Sequence, residues 1–95
     1  MATIAFDWDQ WNARKNERHG ATQVEAEDVF FDSRLLLVPG ARHSEREPRF
    51  HALGETSDGR RFHVTFTLRA EGTRIRVLSA RDMYRKERAF YDRQS

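Results

Sequence analysis

Residues 61–69 read Arg-Phe-His-Val-Thr-Phe-Thr-Leu-Arg, and the fold follows from how they alternate. Phe62, Val64, Phe66 and Leu68 occupy every second position, with Arg61, His63, Thr65, Thr67 and Arg69 between them. That period belongs to a half-buried strand with one apolar and one polar face. On its N-terminal side, Ser57-Asp58-Gly59-Arg60 separates it from a second run, Phe50–Thr56. Asp-Gly between apolar runs is a strong hairpin signal, because glycine adopts positive φ without steric cost. On its C-terminal side a turn at Ala70–Thr73 leads to a strand at Arg74–Leu78, where Ile75 and Val77 continue the apolar face. If Arg69 lies opposite Arg74, then Thr67 faces Arg76 and Thr65 faces Leu78. Arg61, His63, Thr65, Thr67, Arg69, Arg74 and Arg76 then share a face that suits a phosphate backbone. The same pattern also fits an ordinary polar sheet face, and a one-residue slip would exchange the two faces.

Outward from this meander the chain is helical. Ser79 and Asp82 have capping-box spacing and predict a helix to about Asp92. On that helix Arg81, Arg85 and Arg88 form a basic stripe, a pattern common on solvated faces, while Met83 and Phe90 seek the core. Near the N-terminus, Thr3–Phe6 reads as a short strand. Asp9 caps a first helix to about Arg18, which His19-Gly20 ends. Thr22 and Glu25 form the capping box of a second helix, with Val24, Val29 and Phe30 on its apolar side. Arg34–Val38 is a strand, Ala41–Pro48 a polar loop, and Trp8 and Trp11 are core candidates. The expected class is α+β, a single domain over residues 1–95. It has two N-terminal helices, an antiparallel sheet of about four strands in a meander and a C-terminal helix, with the helices covering one sheet face.

The 95 residues allow a modest core, and 34% of them are charged. Residues 1–59 carry a net −4 and residues 60–95 a net +6, with 15 Arg and only two Lys in the whole chain. The arginine fork grips phosphate through two hydrogen bonds, so a basic C-terminal half favours an anionic partner such as nucleic acid. An Arg-rich solvated surface has the same composition. The absence of Cys excludes disulfides, thiolate metal sites and thiol nucleophiles. No apolar run reaches the length of a membrane span and no signal peptide is visible, which leads to the cytoplasm as the expected location.

The loop His43-Ser44-Glu45-Arg46-Glu47-Pro48-Arg49 gathers an imidazole, two carboxylates and two guanidinium groups. RNA cleavage without a metal needs a base for the 2′-hydroxyl, an acid for the leaving 5′-oxygen and cations on the phosphorane. The loop holds all three types, and it also fits a solvated charged turn. His19, His43, His51 and His63 lack the spacing of a zinc site. No phosphate-cradling glycine loop or nucleophilic serine motif is present, so no cofactor is expected.

The series Phe6-Asp7-Trp8-Asp9, Lys15-Asn16, Arg18-His19-Gly20 and Glu27-Asp28-Val29-Phe30 resembles the opening of BrnT-type toxins. The resemblance continues through His43-Ser44-Glu45, Glu47, Arg49-Phe50 and Ala52-Leu53-Gly54. It ends with Val64-Thr65-Phe66-Thr67, the run from Arg74 to Arg81, Glu87-Arg88 and Tyr91, so it spans about Phe6 to Tyr91. It implies a RelE-like fold and the toxin half of a type II toxin–antitoxin pair. It also implies a ribonuclease that halts translation and a ribbon-helix-helix antitoxin partner, with a higher-order complex of the two on operator DNA. Asp82 departs from the family where a basic residue is common, and Val24 where Phe is common.

These readings converge on a metal-independent endoribonuclease with RNA as substrate. The alternative is a non-catalytic nucleic-acid-binding module that uses the same arginine face. Arg49, Arg76 and Arg81 are the candidate phosphate and transition-state ligands, and His43 or Glu45 the acid or base. Lys15 with His19 is a reserve pair, and Thr67 and Arg85 are candidate RNA contacts. His63 falls outside the matched stretches and takes no role.

Overall fold

The Asp58-Gly59 turn forms, with Gly59 at φ +86° and the Thr56 N–H donating to the Arg60 carbonyl at 2.7 Å. A computed structural model describes residues 5–8, 20–39 and 48–94. The elements in chain order are β1 (Ala5–Phe6), α1 (Gln23–Val29), β2 (Leu36–Pro39), β3 (Phe50–Glu55), β4 (Arg61–Arg69), β5 (Arg74–Asp82) and α2 (Arg85–Arg93). The helix expected at Asp9–Arg18 and most of the loop at Ala41–Pro48 lie outside the described residues.

The sheet has five strands in the order β1-β5-β4-β3-β2, with β1 parallel to β5 and the remaining pairs antiparallel. The expected four-stranded antiparallel meander is thus extended by a short parallel edge strand. Arg69 does pair with Arg74, and Thr67 with Arg76. Beyond them a β-bulge absorbs Leu78, so Thr65 pairs with Ser79 rather than with Leu78, and His63 with Arg81. Past the bulge β5 continues to Asp82, because each further residue completes the ladder with β4. The helix expected from Ser79 therefore begins only at Arg85. Glu87, not Asp82, serves its N-terminus by accepting the Tyr84 N–H at 2.8 Å. Arg81 is consequently a strand residue.

Two clusters pack on opposite faces. On one, Ala26, Val29 and Phe30 of α1 and its C-cap meet Phe62, Val64 and Phe66 of β4, Ala52 of β3 and Val77 and Ala80 of β5. The Thr22–Glu25 capping box is present, with hydrogen bonds of 3.0 and 3.1 Å. On the other face, Leu53, Met83 and Tyr91 form a smaller cluster. Since Ala52 and Leu53 are neighbours on one strand, alternation places α2 across the sheet from α1. The helices thus cover both faces, contrary to expectation. Leu68 lies at the far end of β4, beyond this cover, and is exposed, while Val24 points away from the sheet and is also exposed. Ile75 is half-buried. Among the described residues no helix is long and apolar enough to cross a membrane.

Candidate active site

The α2 side of the sheet carries the chemistry. Three neighbouring strands bring His51 (β3), His63 and Thr65 (β4) and Arg81 (β5) onto this face, and Glu87 reaches down to them from the first turn of α2. The Arg81 guanidinium grips Glu87 with both terminal nitrogens, at 2.8 and 3.0 Å, and stacks 3.7 Å above the Tyr84 ring centroid. His63 Nδ1 lies 2.7 Å from Glu87 Oε2 and 2.6 Å from Arg81 Nη2. At the opposite side of its ring, His63 Nε2 lies 2.8 Å from His51 Nδ1. Thr65 Oγ1 is 3.0 Å from the same His51 nitrogen.

Electrostatics sets the protonation of this group. Burial alone would raise the Glu87 carboxyl, but the Arg81 hydrogen bonds, the Tyr84 N–H and His63 outweigh it and hold the pKa at about 2. Burial disfavours the imidazolium of His63 and Arg81 adds to that effect. The opposing attraction of Glu87 is weaker, so the His63 pKa lies below the usual 6.5. At neutral pH the site therefore holds an ionised carboxylate against a neutral imidazole. A guanidinium only donates hydrogen bonds and a carboxylate only accepts, so His63 Nδ1 serves one of them at a time. Protonated, it donates to Glu87; bare, it accepts from Arg81.

The group opens onto a cleft of about 330 Å³ with apolar walls of Val38, Leu53 and Phe90. His51, His63, Glu87 and Lys86 supply its polar lining. Arg85, beside Lys86, is exposed. A neutral imidazole, a fixed carboxylate and cations around one cleft are suited to proton transfer at an anionic centre. Among the described residues no three His, Cys, Asp or Glu side chains are placed to hold a metal ion.

The residues singled out from sequence divide by position. Arg81 lies within the cluster, and Arg85 is exposed in the first turn of α2, next to the cleft-lining Lys86. Arg76 shares this sheet face but lies about 15 Å along β5 from Arg81, half-buried, with its Nε 3.5 Å from Asp7. Thr67 is buried rather than displayed to a ligand, and its hydroxyl donates to the Pro48 carbonyl at 2.9 Å. That bond explains its burial, because it satisfies the hydroxyl within the fold. Arg49 is exposed at the entry to β3. Lys15, His19, His43 and Glu45 lie outside the described residues. His51, His63 and Glu87 were missed as site residues. The polar alternation of β4 pointed to His63, whereas nothing local linked Glu87 to it.

The sequence profile of the BrnT ribonuclease toxins of type II toxin–antitoxin systems matches residues 8–87. The chain belongs to the BrnT family. No individual curated protein matches it significantly. Membership makes it a ribonuclease toxin by family, with RNA as substrate and an antitoxin as partner. The matched span contains every member of the cluster around His63, so the site lies within the part of the chain that defines a BrnT toxin.

Proposed function

We propose that this BrnT toxin is a metal-independent endoribonuclease that cuts RNA by attack of a ribose 2′-hydroxyl on the adjacent phosphate. The observation that carries this reading is the joining of Arg81, Glu87 and a neutral His63 at a cleft edged by Lys86. The imidazoles serve proton transfer. Arg81 and Lys86 offset the charge that grows on the phosphorane, and Arg85, Arg76 and Arg49 hold neighbouring phosphates. In the cytoplasm the toxin is neutralised by a cognate antitoxin of ribbon-helix-helix type, and the two assemble on operator DNA. This last part rests on the resemblance to the family.

The test is cleavage of RNA by purified toxin in EDTA, compared with the folded Arg81→Ala variant. Loss of a transition-state cation is expected to lower kcat by about 10²–10³ and to change affinity less. Arg81→Lys should recover only part of the rate, because the ammonium keeps the charge without the fork. Loss of cleavage in EDTA that one divalent ion restores would overturn metal independence. RNA that is bound but never cut would favour a binding module instead. In cells, induced expression should arrest growth, and co-expression of the neighbouring antitoxin gene should restore it.

A further inference from the structure

His51 and His63 do different work, and the hydrogen-bond chain through them separates the roles. It runs from Glu87 Oε2 to His63 Nδ1, across that ring to Nε2, and on to His51 Nδ1, through contacts of 2.7 and 2.8 Å. Arg81 donates twice to Glu87 and once to the Asp82 carbonyl at 3.1 Å, and its Nη2 also lies 2.6 Å from His63 Nδ1. Glu87 therefore remains an anion whose Oε2 is the acceptor nearest to His63. When His63 Nδ1 carries a proton it satisfies that oxygen, instead of accepting from Arg81 Nη2 at 2.6 Å, and leaves His63 Nε2 bare. His51 must then present its own Nδ1 proton to Nε2, with Thr65 Oγ1 as a second acceptor at 3.0 Å. The result is a bare Nε2 on His51, a nitrogen that no described residue bonds, on a ring that lines the cleft.

We propose that His51 is the general base of RNA cleavage, held in its Nδ1-protonated form by the Glu87–His63 pair. This rests on the ribonuclease reading above and assigns its proton route. His51 Nε2 takes the 2′-hydroxyl proton as the 2′-oxygen bonds to phosphorus and the bond from phosphorus to the 5′-oxygen breaks. Water protonates the departing 5′-oxygen, and the imidazolium returns its proton to the hydroxide left behind. The products are a 2′,3′-cyclic phosphate and a 5′-hydroxyl. Positive charge on His51 is shared through His63 toward Glu87, while Arg81 and Lys86 are the cations facing the pair. His63 is a positioning residue here.

Two measurements test this. The first needs no RNA: long-range ¹⁵N spectra of labelled toxin above the imidazole titration should show both rings protonated at Nδ1. Free histidine prefers the Nε2 proton, so Nε2 protonation of His51 would overturn the relay. The second is the rate. Wild-type cleavage should rise with pH through an imidazole ionisation. His51→Ala should lower kcat by about 10²-fold or more, with little change in KM, and abolish that rise. His51→Gln serves if the alanine variant does not fold. His63→Gln, which keeps a donor and an acceptor, should shift the pH limb and retain more rate than His63→Phe. If wild-type toxin leaves RNA intact, the ribonuclease reading falls and the relay with it. If it cleaves, and folded His51→Gln cleaves within about threefold of it with the same pH limb, only the relay falls.

Discussion

Glu87 meets three groups at once: the Tyr84 N–H at the start of α2, the Arg81 guanidinium, and Nδ1 of His63. Its carboxyl is held at about 2 against 4.5 in an unfolded chain. The carboxylate form therefore stabilises the fold above about pH 4.5, and that contribution is lost as pH falls toward 2. At 1.36 kcal/mol per pH unit the contribution is roughly 3 kcal/mol. His63 acts in the same direction from a higher pH. Buried and neutral, it binds its proton more weakly than the unfolded chain does, so stability also falls as pH drops below 6.5. Urea unfolding of wild-type toxin between pH 7 and pH 2 should therefore show a steady acid loss. Glu87→Gln should be less stable at pH 7 by up to roughly 3 kcal/mol and should show a flatter acid limb. Parallel pH curves for the two proteins would mean that Glu87 is not held as described.

At the scale of elements, α1 is only seven residues long and depends on how closely it approaches the sheet. The contact is Gly54 of β3. A methyl group there would lie 2.8 Å from Val29 Cγ1 and 3.0 Å from the Val29 carbonyl oxygen. Val29 is buried and its carbonyl is backbone, so α1 itself would have to move. Gly54→Ala should cost about 1–3 kcal/mol. Phe66, in T-shaped contact with Phe30 at 5.1 Å, fills the same layer, and Phe66→Ala should cost about 3–5 kcal/mol. Thermal unfolding checks both. A melting temperature unchanged by Gly54→Ala would show that α1 does not seat on β3.

For the whole molecule, the +6 of residues 60–95 overstates what a nucleic acid would meet. Arg60 is tied to Glu25 at 2.8 Å and to the Gly20 carbonyl, Arg61 to Glu55 and Asp92, and Arg81 to Glu87. These pairs brace the hairpin and α2, and they remove positive charge from the outward field. Lys86 at the cleft and its neighbour Arg85 remain exposed. Phosphate contacts by Lys86, Arg85, Arg76 and Arg49 on single-stranded RNA correspond to a log–log salt slope of about −2.8. Binding of 2′-O-methyl RNA, which cannot be cut through the 2′-oxygen, should show that slope, and Arg85→Ala should flatten it by about 0.7. A slope near −7, as ten contacts would produce, would mean that the internal pairs open on binding.

Local pattern was enough for the centre of the sheet. The alternation of Phe62, Val64 and Phe66, the Asp58-Gly59 turn and the Thr22–Glu25 box are all encoded within a few residues, where side-chain period and cap chemistry act directly. The family series was legible for the same reason, as short motifs in order along the chain. The bulge at Leu78, the run of β5 to Asp82 and the passage of α2 to the second face were not legible. They depend on hydrogen bonds and packing that a neighbouring strand provides, and these prevailed over the capping-box spacing of Ser79 and Asp82. The site shows the same division. Arg81 stood out by type, although the fold places it on a strand. His63 meets a histidine 12 residues away and a carboxylate 24 residues away. No periodicity in the chain carries such pairings, because burial, register and the shared proton exist only once the sheet and α2 have closed on each other.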